Sequence, residues 1–303
     1  MVHLVFVCTN LILRKNCKKV PKDNVFPLTK SLFLRGELIA LNRPFILGIL
    51  NLTEDSFYAG SRVKGEALEQ RVRQMLENGV DILDIGAASS RPGAKPVSQE
   101  EELNRLLPAL EIIRKMNPDI PVSIDTFHAS VAEKCLDAGA DLINDISGGT
   151  LDPEMAGVLV RHKCPYILMH MRGTPETMQG LTDYHDIVGE LIRYFSSKIE
   201  ELHRLGIHDI IIDPGIGFAK TAEQNFELLE RLNELHILGK PILIGVSRKS
   251  MIYKSLGISA EEALPGTDAL HALSLLKQAR FLRVHDVKEA RQIADLFHHF
   301  SAK

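Results

Sequence analysis

The sequence lacks the features of a disulfide-bonded, membrane-spanning or strongly charged protein. Its 303 residues include only four cysteines, Cys8, Cys17, Cys135 and Cys164, and no two of them form a Cys-x-x-Cys pair. This pattern predicts a reduced, cytoplasmic setting. No apolar stretch reaches the roughly 18–20 residues that a helix needs to cross a bilayer. The net charge of -3 gives no indication of a nucleic-acid partner or a membrane surface.

Residues 1–30 are predicted to be an N-terminal extension that fits no clear element. An apolar run spans residues 2–13, but its basic residues follow it, whereas a secretory signal carries positive charge before the run. We therefore predict a surface segment or a loosely packed strand, followed by one domain over residues 31–303. At the start of that domain, residues 31–44 indicate two short strands about Gly36. In a barrel, such a hairpin would cover the N-terminal mouth.

Eight short apolar runs organise the rest of the chain. They begin near residues 45, 82, 122, 142, 166, 210, 242 and 281, and each ends in a side chain that can hydrogen-bond or carry charge. Runs of this kind indicate strands buried on both faces, as in a parallel sheet. Helical patterns fill the gaps, with capping boxes at residues 98–101 and 221–224 and a proline, Pro108, expected to kink or interrupt one helix. Strand then helix, eight times over, predicts a single (β/α)₈ TIM barrel.

A first group of polar side chains ends predicted strands three, four, six and seven. It consists of Asp125, Asn144, Asp213 and Lys249. In a closed barrel these side chains would point toward one pocket at the C-terminal strand ends. Two carboxylates, an amide and an ammonium suit a small flat ligand with donors and acceptors around its rim, because a carboxylate can accept two parallel N–H bonds.

A second group lies on predicted strands one, two and eight, or on the loops after them. It consists of Asn51, Ser90, Arg91, Arg283 and His285. Two arginines, a histidine and oxygen or amide ligands suit a phosphate or diphosphate together with a hard cation. The pocket would then hold a planar heterocycle beside an anionic leaving group.

Simpler interpretations exist for single residues. An aspartate at a strand end can cap a helix, as Asp145 or Asp152 could. A lone histidine such as His170 is more often structural than catalytic, and Asp84 could equally be a buried structural carboxylate. Packing requires only Val, Ile and Leu inside a barrel, however, and does not explain polar groups at eight strand ends out of eight.

Eight phrases of the sequence, in order and one at every predicted strand, closely resemble those of the dihydropteroate synthase family. They are GILNLTEDSF at 48–57, DIGAASSRPG at 84–93, SIDT at 123–126, INDI at 143–146, LMHM at 168–171, DPGIGF at 213–218, SRKS at 247–250 and RVHD at 283–286. The resemblance implies an enzyme that joins (7,8-dihydropterin-6-yl)methyl diphosphate to 4-aminobenzoate, giving 7,8-dihydropteroate and diphosphate in folate synthesis. It also implies inhibition by sulfonamides and a homodimer packed through barrel helices.

The resemblance assigns roles to individual positions. It implies that the pterin is bound by Asp125, Asn144, Asp213 and Lys249, with Met169 beside the ring. It implies that Mg²⁺ is bound by Asn51 and that the diphosphate is contacted by Arg91, Arg283 and His285. The 4-aminobenzoate site is implied to be lined by Ser90, Pro92, Phe218 and Ser250. In this assignment the catalytic groups are Asp125, Lys249, Arg91, Arg283 and His285. The chain departs from the family at Glu54 (usually proline), Ala88 (usually glutamate) and Ser90 (usually threonine), which bears on loop closure and turnover rate.

The family chemistry predicts a dissociative reaction. The electron-rich dihydropterin stabilises positive charge on its exocyclic methylene, so the diphosphate departs before the amine attacks. The protein must then neutralise the leaving group and stabilise a developing cation, the latter through Asp125. Two alternatives remain open from the sequence. One is a methyltransferase acting between methyltetrahydrofolate and a corrinoid, which would have little use for residues 247–250 and 283–285. The other is a non-catalytic pterin-binding protein.

Overall fold

A β-hairpin closes one end of the molecule. The computed structural model describes residues 29, 31–52, 62–87 and 97–301. Strands β1 (Ser31–Leu34) and β2 (Glu37–Ala40) pair antiparallel about the turn at Gly36, as predicted. The buried Leu32 and Leu34 pack against the first residues of the barrel strands, among them Phe45 and Phe281. The hairpin therefore plugs the N-terminal end of the barrel.

Eight further strands within the described residues make up the barrel wall. They are β3 (Phe45–Asn51), β4 (Ile82–Gly86), β5 (Val122–Asp125), β6 (Leu142–Asp145), β7 (Tyr166–Met169), β8 (Ile210–Asp213), β9 (Leu243–Ile244) and β10 (Phe281–Val284). All pair in parallel in the order β8-β7-β6-β5-β4-β3-β10-β9. A parallel bridge between Ile212 and Ile242 joins the two ends of this order. Seven of the strands begin at the predicted residue, and β9 begins one residue later than the apolar run.

Helices surround the strands and bury their apolar faces against them. They are α1 (Arg62–Glu77), α2 (Gln99–Met116), α3 (Ala129–Asp137), α4 (Met155–His162), α5 (Ile187–Arg204), α6 (Ala222–Glu230), α7 (Ser250–Leu256), α8 (Leu264–Leu276) and α9 (Val287–Ser301), with 3-10 turns at Met178–Gly180, Leu232–Leu238 and Glu261–Ala263. The main core lies between strands and helices, as Leu110 and Ile113 of α2 and Leu191 and Phe195 of α5 illustrate. The predicted TIM barrel is confirmed.

The structure confirms some of the helix caps that the sequence predicts. Thr221 forms both halves of a capping box with Gln224 at the start of α6, and the Ser98 side chain accepts the Glu101 amide at the start of α2. Of the two effects expected of Pro108, the interruption is wrong, because α2 runs through it from Gln99 to Met116, and the kink stays a prediction. Asp152 does not cap the helix that follows it, since α4 begins only at Met155. Its carboxylate instead accepts the amides of Ala129, the first residue of α3, and Glu154.

Most of the predicted extension at 1–30 lies outside the described residues. Thr29 is described, and it is bonded to the barrel: its amide and its hydroxyl both donate to the Gly239 carbonyl, at 3.1 and 2.7 Å. Across the part of the chain that the structure describes, no helix is both long and apolar enough to cross a membrane.

Candidate active site

The C-terminal ends of the strands bring the predicted polar residues to one face of the barrel. Asp125 ends β5, Asn144 lies in β6, Asp213 ends β8, and Arg283 lies in β10. Because parallel strands share one direction, these side chains meet although they are far apart in sequence. Lys249 joins them from the segment between β9 and α7, where it is the residue before the first turn of the helix.

An ionic chain links both predicted groups. Arg283 donates from Nε to Asp84 Oδ2 and from Nη2 to Asp125 Oδ2, each at 2.6 Å. The Asn144 amide lies 3.3 Å from Asp84 Oδ2, at the long end of the hydrogen-bond range. Asp84, whose role the sequence left open, is fully buried. Asp84 therefore orients Asn144 of the first predicted group and Arg283 of the second. In the sequence, Asp84 was recognisable only as a carboxylate within an apolar run.

The charges in this chain shift one another's pKa. Burial raises the pKa of Asp125 to about 7, and Asp84, Glu102 and Asp145 act in the same direction, while Arg283 opposes them. Burial lowers the pKa of Arg283, but the carboxylates of Asp84 and Asp125 outweigh it and leave that pKa above its usual value. Arg283 is therefore a permanent cation, and Asp125 is a carboxylate that protonates readily.

Lys249 and Asp213 form a second charged region beside the first. The Lys249 ammonium lies 4.8 Å from the centre of the Phe218 ring and also donates to the Ile216 carbonyl. Burial lowers the pKa of Lys249 to about 8; Asp213 acts against this effect and Arg283 adds to it. Burial raises the pKa of Asp213, whose Oδ1 accepts the Gly215 amide at 2.7 Å.

An apolar wall borders the charged groups. The buried side chains of Ile146, Met169, Met171 and Met178 cluster there, with Phe127 and Phe218 packed against them. Met169 is only 2% exposed. A flat ring would find an apolar face on this side and hydrogen-bonding groups on the other, which is the usual composition of a small-molecule site.

The loop after β8 is held by two residues that sequence reasoning did not assign to the site. The Lys220 ammonium donates to the carbonyls of Phe218 at 2.9 Å and Gly215 at 3.1 Å, and it lies 3.2 Å from His170 Nδ1. Burial lowers the pKa of Lys220 to about 7 and that of His170 to about 2. His170 is therefore neutral, and it accepts from Lys220 in a structural role. In the sequence, the only indication of this contact was a lysine two residues after the phrase at 213–218.

The remaining predicted residues lie around the rim or outside the described residues. Asn51 is half-buried at the end of β3, opposite Gly86 of β4. His285 follows β10, and its amide donates to the Ser247 hydroxyl at 3.2 Å. Ser250 begins α7 and is exposed. Ser90, Arg91 and Pro92 lie outside the described residues, as do Glu54 and Ala88.

The donor set suits one kind of metal site. Within the described residues no group of three or more His, Cys, Asp or Glu side chains could hold an ion. A zinc site of the usual composition is therefore not found among them. An amide oxygen such as that of Asn51 is a hard ligand, and Mg²⁺ commonly takes one or two protein oxygens while keeping water and substrate phosphates as its other ligands. Asn51 fits Mg²⁺ in that manner.

Comparison with known proteins gives one family throughout. Residues 47–285 match the family described as pterin binding enzyme. A dihydropteroate synthase of Synechocystis sp. is 46% identical over 272 residues, which cover 88% of this chain and 92% of that protein. The crystal structure of Yersinia pestis dihydropteroate synthase with a sulfonamide drug has a TM-score of 0.84 and 36% identity, covering 90% of this chain and 100% of that one. The Xanthomonas albilineans dihydropteroate synthase with 4-aminobenzoic acid has a TM-score of 0.82 and 35% identity, covering 91% and 99%.

Proposed function

The chain belongs to the pterin-binding enzyme family, and from that premise we propose that it acts as a dihydropteroate synthase, a transferase of folate synthesis. The reaction condenses (7,8-dihydropterin-6-yl)methyl diphosphate with 4-aminobenzoate and releases 7,8-dihydropteroate and diphosphate. The observation that carries the proposal is the ionic chain of Asp84, Arg283 and Asp125 at the strand ends. It sets a fixed cation and a carboxylate side by side, as a reaction that separates an anion from a cation requires.

The pterin would lie between the charged groups and the apolar wall. Asp125 and Asp213 would accept its N–H groups, and Asn144 would meet the rest of the rim. Lys249 would donate to an acceptor on the ring, from its position beside Asp213. Met169 would cover one face of the heterocycle. Each of these groups is already held by protein contacts, so binding loses little side-chain entropy.

The diphosphate would lie against Arg283, His285 and Arg91. Mg²⁺ bound at Asn51 would neutralise part of the leaving group's charge. Arg283 donates from Nε to Asp84 and from Nη2 to Asp125, and on this basis we assign it to the boundary between pterin and diphosphate. As the carbon–oxygen bond breaks, negative charge grows on the diphosphate beside Arg283, and positive charge grows on the methylene near Asp125. The amine of 4-aminobenzoate then forms the new carbon–nitrogen bond and loses a proton.

The amine substrate would enter from the rim. Phe218 contacts the Lys249 ammonium, and Ser250 lies at the exposed start of α7, so both stand near the pterin groups but nearer to solvent. Ser90 and Pro92 are proposed to complete this subsite. Sulfonamides, which mimic 4-aminobenzoate, would then compete for it.

The proposal extends to the assembly and its location. We expect a homodimer, because α8 and α9 pack together and leave Leu273, Leu276 and Leu296 more than half exposed. Light scattering should give twice the chain mass of 33.8 kDa; a monomer at micromolar concentration would contradict this part. A cytoplasmic location is supported by Cys135 and Cys164, which are buried free thiols, and cell fractionation tests it.

Product formation tests the function. Purified protein, the pterin diphosphate, 4-aminobenzoate and Mg²⁺ should give dihydropteroate by mass spectrometry, with diphosphate released in equal amount. Asp125→Asn should keep the fold and lower kcat by about 10²-fold or more, because it removes charge directed at a developing cation. Asp209→Asn is the matched control, since Asp209 accepts the Phe33 amide at the opposite end of the barrel.

One outcome would contradict the proposed function, and a second would remove the role given to one residue. Folded protein that binds the pterin but forms no dihydropteroate would be a non-catalytic pterin-binding protein. Wild-type turnover in Asp125→Asn would leave the enzyme assignment standing but would remove the role given to that carboxylate.

A further inference from the structure

Helix α2 directs two buried charged side chains at the catalytic end of the barrel. Glu102 is 1% exposed and Arg105 is 5% exposed. They are three residues apart and therefore share one face of the helix. Burying such groups is costly unless polar partners surround them. Their partners include the ends of three neighbouring strands.

Arg105 contacts the ends of β3 and β4. Its Nη1 donates to the Ala87 carbonyl at 3.0 Å and lies 3.5 Å from the Leu52 carbonyl, while Nη2 pairs with Glu101. Leu52 directly follows Asn51, and Ala87 directly follows β4. The Leu52 amide also donates to the Gly86 carbonyl at 2.8 Å. One guanidinium thus ties together the end of β3, which carries Asn51, and the end of β4, which carries Asp84.

Glu102 contacts the end of the next strand. Its Oε2 accepts the Thr126 hydroxyl at 3.2 Å and lies 2.8 Å from His128 Nδ1. Thr126 directly follows Asp125, the proposed cation-stabilising carboxylate. Glu102 and Arg105 together therefore span the ends of β3, β4 and β5, and neither belongs to the groups that surround the proposed ligands.

We propose that Glu102 and Arg105 are positioning residues that fix the Asn51 amide and the Asp125 carboxylate relative to each other. The inference rests on the proposed function, because it concerns the geometry in which diphosphate and its cation are held. A guanidinium suits this task, since its planar fork reaches two acceptors in one fixed orientation. A shift of about 1 Å at a reacting group can lower a rate by about 10²-fold, so loss of this contact should appear in kcat.

The same helix supplies a matched control. Arg114 donates to the Gly139 carbonyl at 2.8 and 2.9 Å and to the Ile120 carbonyl at 2.6 Å, and it pairs with Asp141. These partners precede β5 and β6, so Arg114 acts at the end of the barrel opposite the site. It makes at least as many carbonyl contacts as Arg105. A purely structural role would make the two arginines equivalent.

The experiment compares Arg105→Met, Arg105→Lys and Arg114→Met in the full chain. We expect Arg105→Met to lower kcat by about 10²-fold at saturating substrates, and Arg105→Lys to be intermediate because one ammonium replaces a two-point contact. Arg114→Met should lose thermal stability while kcat stays within about twofold of wild type. Calorimetric titration with Mg²⁺ and inorganic diphosphate should show weaker binding for Arg105→Met and unchanged binding for Arg114→Met.

Each outcome decides the inference. Equal kcat and equal diphosphate binding in the two methionine variants would reduce Arg105 to a stabilising residue and overturn the proposal. If Arg105→Met does not fold, Arg105→Lys carries the test, and wild-type kcat in that variant would also overturn it. If the wild-type protein forms no dihydropteroate, the proposed function fails, and the diphosphate titration still measures whether the pair positions the anion site.

Discussion

At the residue scale, the site depends on charges that are held by other charges. Asp84 is fully buried, and it contributes through Arg283, which it holds at 2.6 Å. A buried pair of this kind adds little to net stability when intact, but removing one partner leaves a desolvated charge. The arrangement is therefore better understood as fixing the direction of the Arg283 guanidinium than as strengthening the fold.

Lys249 makes the site sensitive to alkaline pH. Its pKa is lowered to about 8 by burial, so the ammonium loses its proton as pH rises through that value, well below the pH at which an ordinary lysine does. Only the charged ammonium has three N–H groups that can donate hydrogen bonds to the pterin. We therefore expect kcat/KM for the pterin diphosphate to fall as pH rises above about 8, because kcat/KM reports groups of the free enzyme.

Substitution distinguishes Lys249 from other titrating groups. Lys249→Arg keeps a charge that does not titrate in this range, so the alkaline decline should disappear even if the rate is lower. Lys254→Arg is the control, because Lys254 lies one turn further along α7, and it should leave the pH profile unchanged. An unaltered decline in Lys249→Arg would assign it to another group.

At the element scale, the loop after β8 is fixed by backbone geometry as much as by side chains. Gly215 has φ +70°, and a Cβ there would lie 2.1 Å from the His170 carbonyl oxygen. Lys220 donates to the Gly215 carbonyl, and Asp213 accepts the Gly215 amide. This packing brings β7, β8 and the Phe218 side of the site into one rigid unit.

Gly215→Ala should damage both stability and pterin binding. Positive φ alone costs an alanine about 1–2 kcal/mol, and the backbone clash should add more than 1 kcal/mol to the loss of unfolding free energy. Gly36→Ala is the matched control, because Gly36 has φ +80° but a Cβ there would meet nothing within 4 Å. Denaturant unfolding and pterin titration should show the larger cost and the weaker binding only at Gly215. Equal costs would mean that the clash relaxes without consequence.

At the scale of the whole molecule, the hydrogen bonds described for the proposed site all join residues of the barrel. We expect deletion of residues 1–28 to change activity little and the unfolding free energy by no more than about 1–2 kcal/mol, within the range of ordinary perturbations. Deletion of residues 1–30 should cost slightly more, because it also removes the two bonds from Thr29 to Gly239. Loss of soluble, active protein on deleting residues 1–28 would show that the extension contributes to the barrel.

Much of the architecture could be predicted because it depends on local pattern. An apolar run of four to seven residues, a helical face and a capping residue are each visible within a short window, and they placed seven strand starts at the observed residue. The continuity of α2 through Pro108, where an interruption was one of two expected effects, has a physical reason. A proline costs the helix one hydrogen bond, and the buried side chains Ala109, Leu110 and Ile113 that follow it keep α2 continuous.

The site was predictable only as a set of strand ends. Parallel strands bring Asp125, Asn144, Asp213 and Arg283 to one face whatever their side chains then contact, so their proximity followed from the barrel itself. Their individual roles stay predictions, as do those of Ser90, Arg91 and Pro92, which lie outside the described residues.

The sequence by itself determined the order of elements, the end of the barrel that carries chemistry and the residue types available there, because these follow from periodicity and chain direction. Only the tertiary structure decided which of those residues touch. Asp84 meets Arg283 across 199 positions of sequence, Arg105 reaches two strand ends from a helix, and Lys220 reaches His170 across 50 positions. Hydrogen bonds are decided by fractions of an ångström and by direction. No local pattern encodes those quantities, since they arise only when distant segments pack.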